Sequence, residues 1–205
     1  CGHAFESYLA ARTDLPEELQ CPGMESAEIH SMSMEFLTAP WHHLFFGPDT
    51  DKYELFHAED NFVFLPYGCM VDEFQHIAYQ QPDLTPEQRN QVWLDLEKKY
   101  RPWNDFGDLP FYSRGAGWQR QLHIYECPFY YIDYCLATVV ALQFFTASLR
   151  DHADAWQRYL RLTRLAGTAP YTELVESAGL QVPFAAGSLT ALSHTIHDWI
   201  KEHQI

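Results

Sequence analysis

The chain has 205 residues, of which 47% are hydrophobic and 16% aromatic, enough for one large domain or two small ones. Its formal net charge of −15 excludes a basic nucleic-acid interface and disfavours contact with an anionic membrane surface. The five cysteines are odd in number and include no Cys-x-x-Cys pair, so we expect reduced thiols in a cytoplasmic protein, without a zinc knuckle or disulfide framework.

Hydrophobic periodicity predicts helices along nearly the whole chain, with no series of alternating strands. In chain order the helices are expected at residues 2–12, 24–46, two segments that end at 81, 85–100, 128–149, 151–165, 171–180 and 188–205. Pro40 is expected to bend the second helix, and Pro66-Tyr67-Gly68 to break the chain before residue 81. The predicted fold class is therefore all-α.

Two further segments have a distinct composition. Residues 101–127 include three glycines and two prolines and are expected to be irregular, and loops of this length are usually functional. The longest apolar run, 135–145, is shorter than a membrane span and fits a buried core helix. We therefore expect no membrane segment.

The start of the chain carries the first candidate site residue. In a His-Glu-x-x-His helix the two histidines lie on one face and bind one metal, while the glutamate serves as general base. His3 has the position of the second histidine, and the first histidine and the base would occupy the two positions before Cys1. We expect the sequence to begin inside its own active-site motif. The alternative is an ordinary histidine on an amphipathic helix.

Two glutamates of the next helix share one face. Glu28 follows His3 by 25 residues, and Glu35 follows Glu28 by seven, which is two helical turns. One carboxylate could bind a metal, and the other could orient a histidine ligand from behind. The alternative is that both are ordinary surface carboxylates.

Together these features resemble the C-terminal catalytic portion of the thimet oligopeptidase/oligoendopeptidase F-type zinc metallopeptidases. The likeness rests on Gly-His-Ala-Phe at 2–5 with Glu28, on the segment 28–36, and on His-Ile-Tyr-Glu-Cys-Pro-Phe-Tyr-Tyr-Ile-Asp-Tyr at 123–134. Asp-Glu-Phe-Gln-His at 72–76 is similar to the oligoendopeptidase branch.

The resemblance implies that residues 1–205 belong to the multi-helix catalytic lobe of a channel-type zinc oligopeptidase, truncated just inside the His-Glu-x-x-His motif. His3 and Glu28 would bind zinc, and Glu35 would orient a histidine ligand without binding the metal itself. Short peptides would be the substrates. The missing N-terminal part of the same enzyme would supply the first histidine and the base. The chain alone is therefore expected to be inactive.

The same resemblance implies a catalytic role for His123, Tyr131 and Tyr134, which would stabilise the charge on the carbonyl oxygen. The two tyrosines are one helical turn apart, so that their hydroxyls can point to one place. Tyr125 or Tyr130 could replace one of them, and simple core packing is the alternative for the whole cluster.

The loop at 113–118 and its neighbours allow two interpretations. In the family, similar glycine-containing segments flank the substrate channel, where mobility would let a peptide enter. The other interpretation is a connector that needs positive φ at glycine. Arg120, close by, could meet a peptide carboxylate.

Two other classes of function remain open from the residues alone. Glu54-x-x-His57 and Glu73-x-x-His76 are the repeated unit of di-iron carboxylate bundles, which would contain iron instead of zinc. An acidic, aromatic-rich helical protein could also be a binding module without catalytic activity. Such a module would bind no metal.

Overall fold

The computed structural model describes residues 1–21 and 23–204, apart from the side chain of Ala166. These residues form helices, turns and loops without a strand, which confirms the predicted all-α class. The α-helices of this part of the chain are α1 (Gly2–Ala10), α2 (Met24–Leu37), α3 (His43–Phe46), α4 (Thr50–Gln80), α5 (Pro86–Tyr100), α6 (His123–Glu126), α7 (Tyr131–Arg150), α8 (His152–Thr163), α9 (Tyr171–Ser177) and α10 (Ser188–Glu202).

The chain divides into two compact units. The first unit comprises Cys1–Phe62 and Leu136–Ile205, and the second comprises Val63–Cys135. Each has its own hydrophobic core, as expected for apolar helix faces that must be buried. The largest fully buried side chains of the first core are Ile29, Leu37, Phe144, Tyr159, Leu162 and Leu174. The second core consists of Met70, Val71, Phe74, Trp93, Leu96, Trp118 and Ile124.

The predicted helix at 24–46 is wrong in its second half. Helix α2 ends at Leu37, and Pro40 lies in the short 3-10 helix Ala39–Trp41 that follows. Because proline cannot donate a backbone hydrogen bond and its ring clashes with the preceding turn, the helix ends instead of bending.

The predicted break at 66–68 is also wrong, because α4 is continuous through Pro66. Within the second unit, a Cβ atom on Gly68 would lie 2.1 Å from Sγ of Cys135, so the glycine permits close packing there. Met70 and Val71 are fully buried after it. This burial offsets the hydrogen bond that proline removes from the helix.

Helix α5 agrees with the helix predicted at 85–100 and begins with a capping box. Thr85 Oγ1 accepts a hydrogen bond from the Gln88 backbone N–H, and Gln88 Oε1 accepts one from the Thr85 N–H. Pro86 occupies the first helical position, where no N–H is needed.

Replacing Thr85 with alanine is expected to lower the free energy of unfolding by about 1 kcal/mol, because one helix N–H loses its acceptor. Urea denaturation followed by circular dichroism measures the change. Thr85→Ser keeps the oxygen and should retain most of the stability. An equal loss in both variants would show that the hydroxyl is not the stabilising group.

One helix of the described residues, Tyr131–Arg150, is long and apolar enough by composition to cross a membrane. Within its most apolar window 56% of the residues are buried inside the protein. This burial is typical of a core helix.

Candidate active site

Helices α1 and α2 touch at Gly2. A Cβ atom at this position would lie 1.8 Å from the carbonyl oxygen of His30, which is far inside van der Waals contact. Only glycine therefore allows the two backbones to approach so closely. The residue after Gly2 on α1 is His3, and its partner on α2 is Glu28.

The structure brings His3 and Glu28 together within the first unit. His3 Nε2 lies 3.4 Å from Glu28 Oε2, with 54% of the histidine side chain and 17% of the glutamate side chain exposed. Ser31 Oγ donates a hydrogen bond of 2.8 Å to the same carboxylate oxygen and holds its orientation. Both side chains are thus partly exposed to solvent.

The separation of the two atoms fits a pair of zinc ligands. A charge-assisted hydrogen bond between imidazole and carboxylate would be about 2.7–2.9 Å long. Two donors on a tetrahedral zinc ion, with bonds of about 2.0–2.1 Å, lie about 3.4 Å apart. No cluster of three histidine, cysteine, aspartate or glutamate side chains suited to a metal occurs in residues 1–21 and 23–204. A complete site therefore requires further donors.

His30, on the same helix as Glu28, is buried and neutral. His30 Nδ1 is 3.2 Å from the Tyr159 hydroxyl, and burial lowers the pKa of His30 to about 4. Its imidazole is therefore uncharged at neutral pH. It adds no positive charge beside His3 and Glu28.

Glu35 contacts a different histidine. Its Oε2 accepts a hydrogen bond of 2.7 Å from Nε2 of His57, while Glu54 Oε1 lies 3.1 Å from Nδ1 of His42. The expected role of Glu35, to orient a histidine that binds zinc, stays a prediction. Glu54 and His57, which form the first Glu-x-x-His motif of the di-iron interpretation, thus both contact other protein side chains.

Glu73 and His76, the second Glu-x-x-His motif, also contact other protein side chains. The carboxylate of Glu73 accepts hydrogen bonds from Lys99 Nζ and from the Tyr100 hydroxyl, and these bonds lower the pKa of Glu73. His76 Nε2 lies 3.4 Å from Asp72 Oδ2 on the same helix. The Asp72–His76 contact has the i, i+4 spacing of surface pairs on one helix, and the Glu73 contacts join α4 to α5.

The three predicted catalytic residues of the second unit form one aromatic cluster. The ring of His123 lies 5.0 Å from that of Tyr131 and 5.5 Å from that of Tyr134, both edge to face. The Tyr134 hydroxyl is 3.4 Å from His123 Nε2. The one-turn spacing therefore brings both phenol rings into contact with the same imidazole.

Burial raises the pKa of Tyr131 well above that of an ordinary tyrosine. The phenol consequently keeps its proton and can act as a neutral hydrogen-bond donor. Of the two alternatives, Tyr130 packs against Tyr134 at 5.3 Å, and the 53% exposed Tyr125 lies beside Trp118. The His123 ring thus contacts the two tyrosines chosen from the sequence.

The turn before α7 explains why this helix begins at Tyr131 and not at the predicted Pro128. Phe129 has φ 66°, which is uncommon for a residue other than glycine. Its N–H donates a hydrogen bond of 2.8 Å to Oε1 of the fully buried Gln75. No role was predicted for Gln75 itself, although it lies in the segment 72–76 that resembles the oligoendopeptidase branch.

A second glutamine was also missed. Gln121 bridges two side chains: its Oε1 accepts a hydrogen bond of 2.9 Å from the Tyr67 hydroxyl, and its Nε2 lies 2.8 Å from Nδ1 of His123. The sequence shows only that Gln121 lies two residues before His123. Its contact with Tyr67 joins positions 54 residues apart.

The loop at 113–118 is packed in the structure. Gly115 has φ 78°, as the connector interpretation requires, and a Cβ there would lie 2.1 Å from the carbonyl oxygen of Asn90. Arg120 contacts the Tyr112 hydroxyl at the edge of a cavity of about 270 Å³. The cavity, which lies in the second unit, is lined by Tyr67, Trp93, Glu97, Arg101, Phe106, Tyr112, Gly117 and Arg120.

Sequence comparison assigns the chain to a family. The pattern of peptidase family M3 matches residues 1–194. No match was found among curated protein sequences.

Solved structures give a consistent result. A candidate oligoendopeptidase F is 52% identical, with a TM-score of 0.93 over 98% of this chain. PZ peptidase A, solved with an inhibitor, is 46% identical with a TM-score of 0.94 over 98% of this chain. A candidate oligoendopeptidase F from Bacillus anthracis str. Ames is 40% identical, with a TM-score of 0.83 over 98%. The chain spans 35%, 36% and 32% of these proteins, respectively.

Proposed function

Because this chain belongs to peptidase family M3, we propose that it forms part of the active site of a zinc-dependent endopeptidase that cleaves short peptides. The observation that carries the proposal is the pair His3 Nε2 and Glu28 Oε2, 3.4 Å apart across the contact of α1 and α2. The peptidases named among the similar structures support it.

His3 and Glu28 would hold the zinc ion. When bound, zinc supplies a Lewis acid that polarises the substrate carbonyl and activates water at neutral pH. Ser31 orients the carboxylate of Glu28, and Gly2 lets α1 approach α2. The first histidine and the general base would precede Cys1 in the whole enzyme. The chain alone is then expected to have no peptidase activity.

His123, Tyr131 and Tyr134 would donate hydrogen bonds to the oxygen on which negative charge develops. Neutral donors suit this role because they are already oriented before the charge appears. The raised pKa of Tyr131 supports such a donor, since its phenol stays protonated.

We also place the peptidase in the cytoplasm. All five cysteines carry free thiols, of which only Cys135 is buried. Free, accessible thiols are typical of a reducing compartment.

The alternatives have less support. A di-iron protein would need both Glu-x-x-His units as ligands, whereas Glu54 and Glu73 are engaged with His42 and with Lys99. A binding module without activity would not require His3 and Glu28 to converge. The zinc content of a polypeptide extended to include the upstream residues tests all three, since only the peptidase proposal expects about one zinc per chain.

Replacing Tyr134 with phenylalanine in the intact peptidase is expected to lower kcat about a hundredfold, because a donor to the oxyanion is lost. KM should change little. Steady-state kinetics with a fluorogenic peptide measures both constants. Tyr125→Phe is the matched control and should retain full activity; a larger loss in that variant would assign the donor role to Tyr125.

A further inference from the structure

Three hydrogen-bonded groups lead to His123 within the second unit. The Tyr67 hydroxyl contacts Gln121 Oε1 at 2.9 Å, and Gln121 Nε2 contacts His123 Nδ1 at 2.8 Å. On the other side of the ring, His123 Nε2 lies 3.4 Å from the Tyr134 hydroxyl. Each ring nitrogen thus has a polar neighbour, and the contact at Nδ1 is the shorter of the two.

The amide nitrogen of Gln121 can only donate a hydrogen bond. The ring nitrogen that it contacts must therefore be an acceptor without a proton, and in a neutral imidazole the proton then resides on the other nitrogen. For His123 this places the proton on Nε2, the atom that faces Tyr134.

The orientation of the amide depends on Tyr67. The guanidinium of Arg101 lies 4.6 Å above the Tyr67 ring. Burial raises the pKa of Tyr67, and the positive charges of Arg101 and Arg120 act in the opposite direction. Cations beside a phenol favour it as a donor, so Tyr67 directs its O–H towards Oε1 of Gln121 and turns the NH₂ group towards His123.

We propose that Gln121 is a positioning residue that fixes His123 as the Nε2–H tautomer, so that this N–H, and not a bare nitrogen, faces the reacting group. The proposal rests on the proposed function only for its catalytic consequence. The 3.4 Å contact with Tyr134 is long for a hydrogen bond, so the Nε2–H can turn to a substrate oxygen at low cost.

The tautomer can be measured on the 205-residue chain by nitrogen NMR of the histidine rings. The pH should lie about two units above the ordinary histidine pKa of about 6.5. His123→Gln identifies the signals of His123. We expect a protonated Nε2 and a bare Nδ1; a proton on Nδ1 would overturn the proposal.

Gln121→Glu is the decisive variant because a carboxylate can only accept a hydrogen bond. It should move the proton of His123 to Nδ1. Gln119→Glu, at an exposed site two residues away, adds the same charge and should leave the tautomer unchanged. If Gln121→Glu retains the Nε2–H form, or both variants switch it, Gln121 does not determine the tautomer.

If Gln121→Glu does not fold, Tyr67→Phe provides a second test. Without the Tyr67 hydroxyl the amide can rotate, and a measurable population of the Nδ1–H form should appear. An unchanged single tautomer would contradict the role assigned to the Tyr67–Gln121 pair.

In the intact peptidase, Gln121→Glu should lower kcat about tenfold or more at nearly constant KM, because a bare nitrogen replaces a donor. A switched tautomer with unchanged kcat would confirm the role of Gln121 and contradict the catalytic role proposed for His123. The two proposals can thus fail separately.

Discussion

Replacing Gly2 with alanine is expected to separate α1 from α2 and to destabilise the first unit by about 3 kcal/mol. The added Cβ would lie 1.8 Å from the His30 carbonyl oxygen, and a backbone atom cannot move aside by a change of rotamer. For a chain of this size the loss corresponds to a fall of Tm of about 6–12 °C. His3 would then move away from Glu28.

Thermal unfolding and amide hydrogen exchange measure this effect. Exchange should become faster in α1, while the second unit keeps its protection. Gly23→Ala is the control, because Gly23 has an ordinary φ of −59° and its added Cβ would meet only the flexible end of the Glu25 side chain. Equal destabilisation by both substitutions would show that the close approach at Gly2 is not responsible.

Replacing Glu28 with glutamine in the intact peptidase is expected to abolish most of its activity. The amide is nearly the same size but carries no charge, so it is a poor ligand for zinc. Zinc affinity should fall by more than the roughly 10–100-fold that is typical when a residue hydrogen-bonded to a metal ligand is replaced. Loss of several kcal/mol of transition-state stabilisation corresponds to about a thousandfold in kcat/KM.

Competition with a chromogenic chelator measures the affinity, and hydrolysis of a fluorogenic peptide measures the rate. Glu25→Gln removes the same charge from an exposed position on the same helix, and it should leave both quantities unchanged. Full zinc binding and activity in Glu28→Gln would exclude Glu28 as a ligand. The fold of both variants is checked by their unfolding midpoints.

The sequence allowed most helices to be predicted because their signals are local. The helix predicted at 85–100, for example, begins with a capping box whose two residues, Thr85 and Gln88, are only three positions apart. The two errors at prolines have a common reason. Whether a helix ends near a proline, as before Pro40, or continues through it, as at Pro66, depends on the packing around it.

The candidate site divides in the same way. His3 was singled out by the spacing of the His-Glu-x-x-His motif, whereas the roles of Glu28, His123, Tyr131 and Tyr134 were implied by the family resemblance, with helical periodicity placing the two tyrosines one turn apart. Gln75 and Gln121 were missed because their partners, Phe129 and Tyr67, each lie 54 residues away. Nothing in the local pattern indicates such a pairing.

By itself the sequence determined the helical class, the acidic surface and the residue types available for metal and oxyanion chemistry, since these depend on composition and on neighbours within two turns. Only the tertiary structure decided that Gly2 passes against His30 and leaves His3 3.4 Å from Glu28. It also decided that a glutamine faces His123. Such contacts arise when packed helices exclude water, and the burial of their apolar faces selects which distant polar groups must meet.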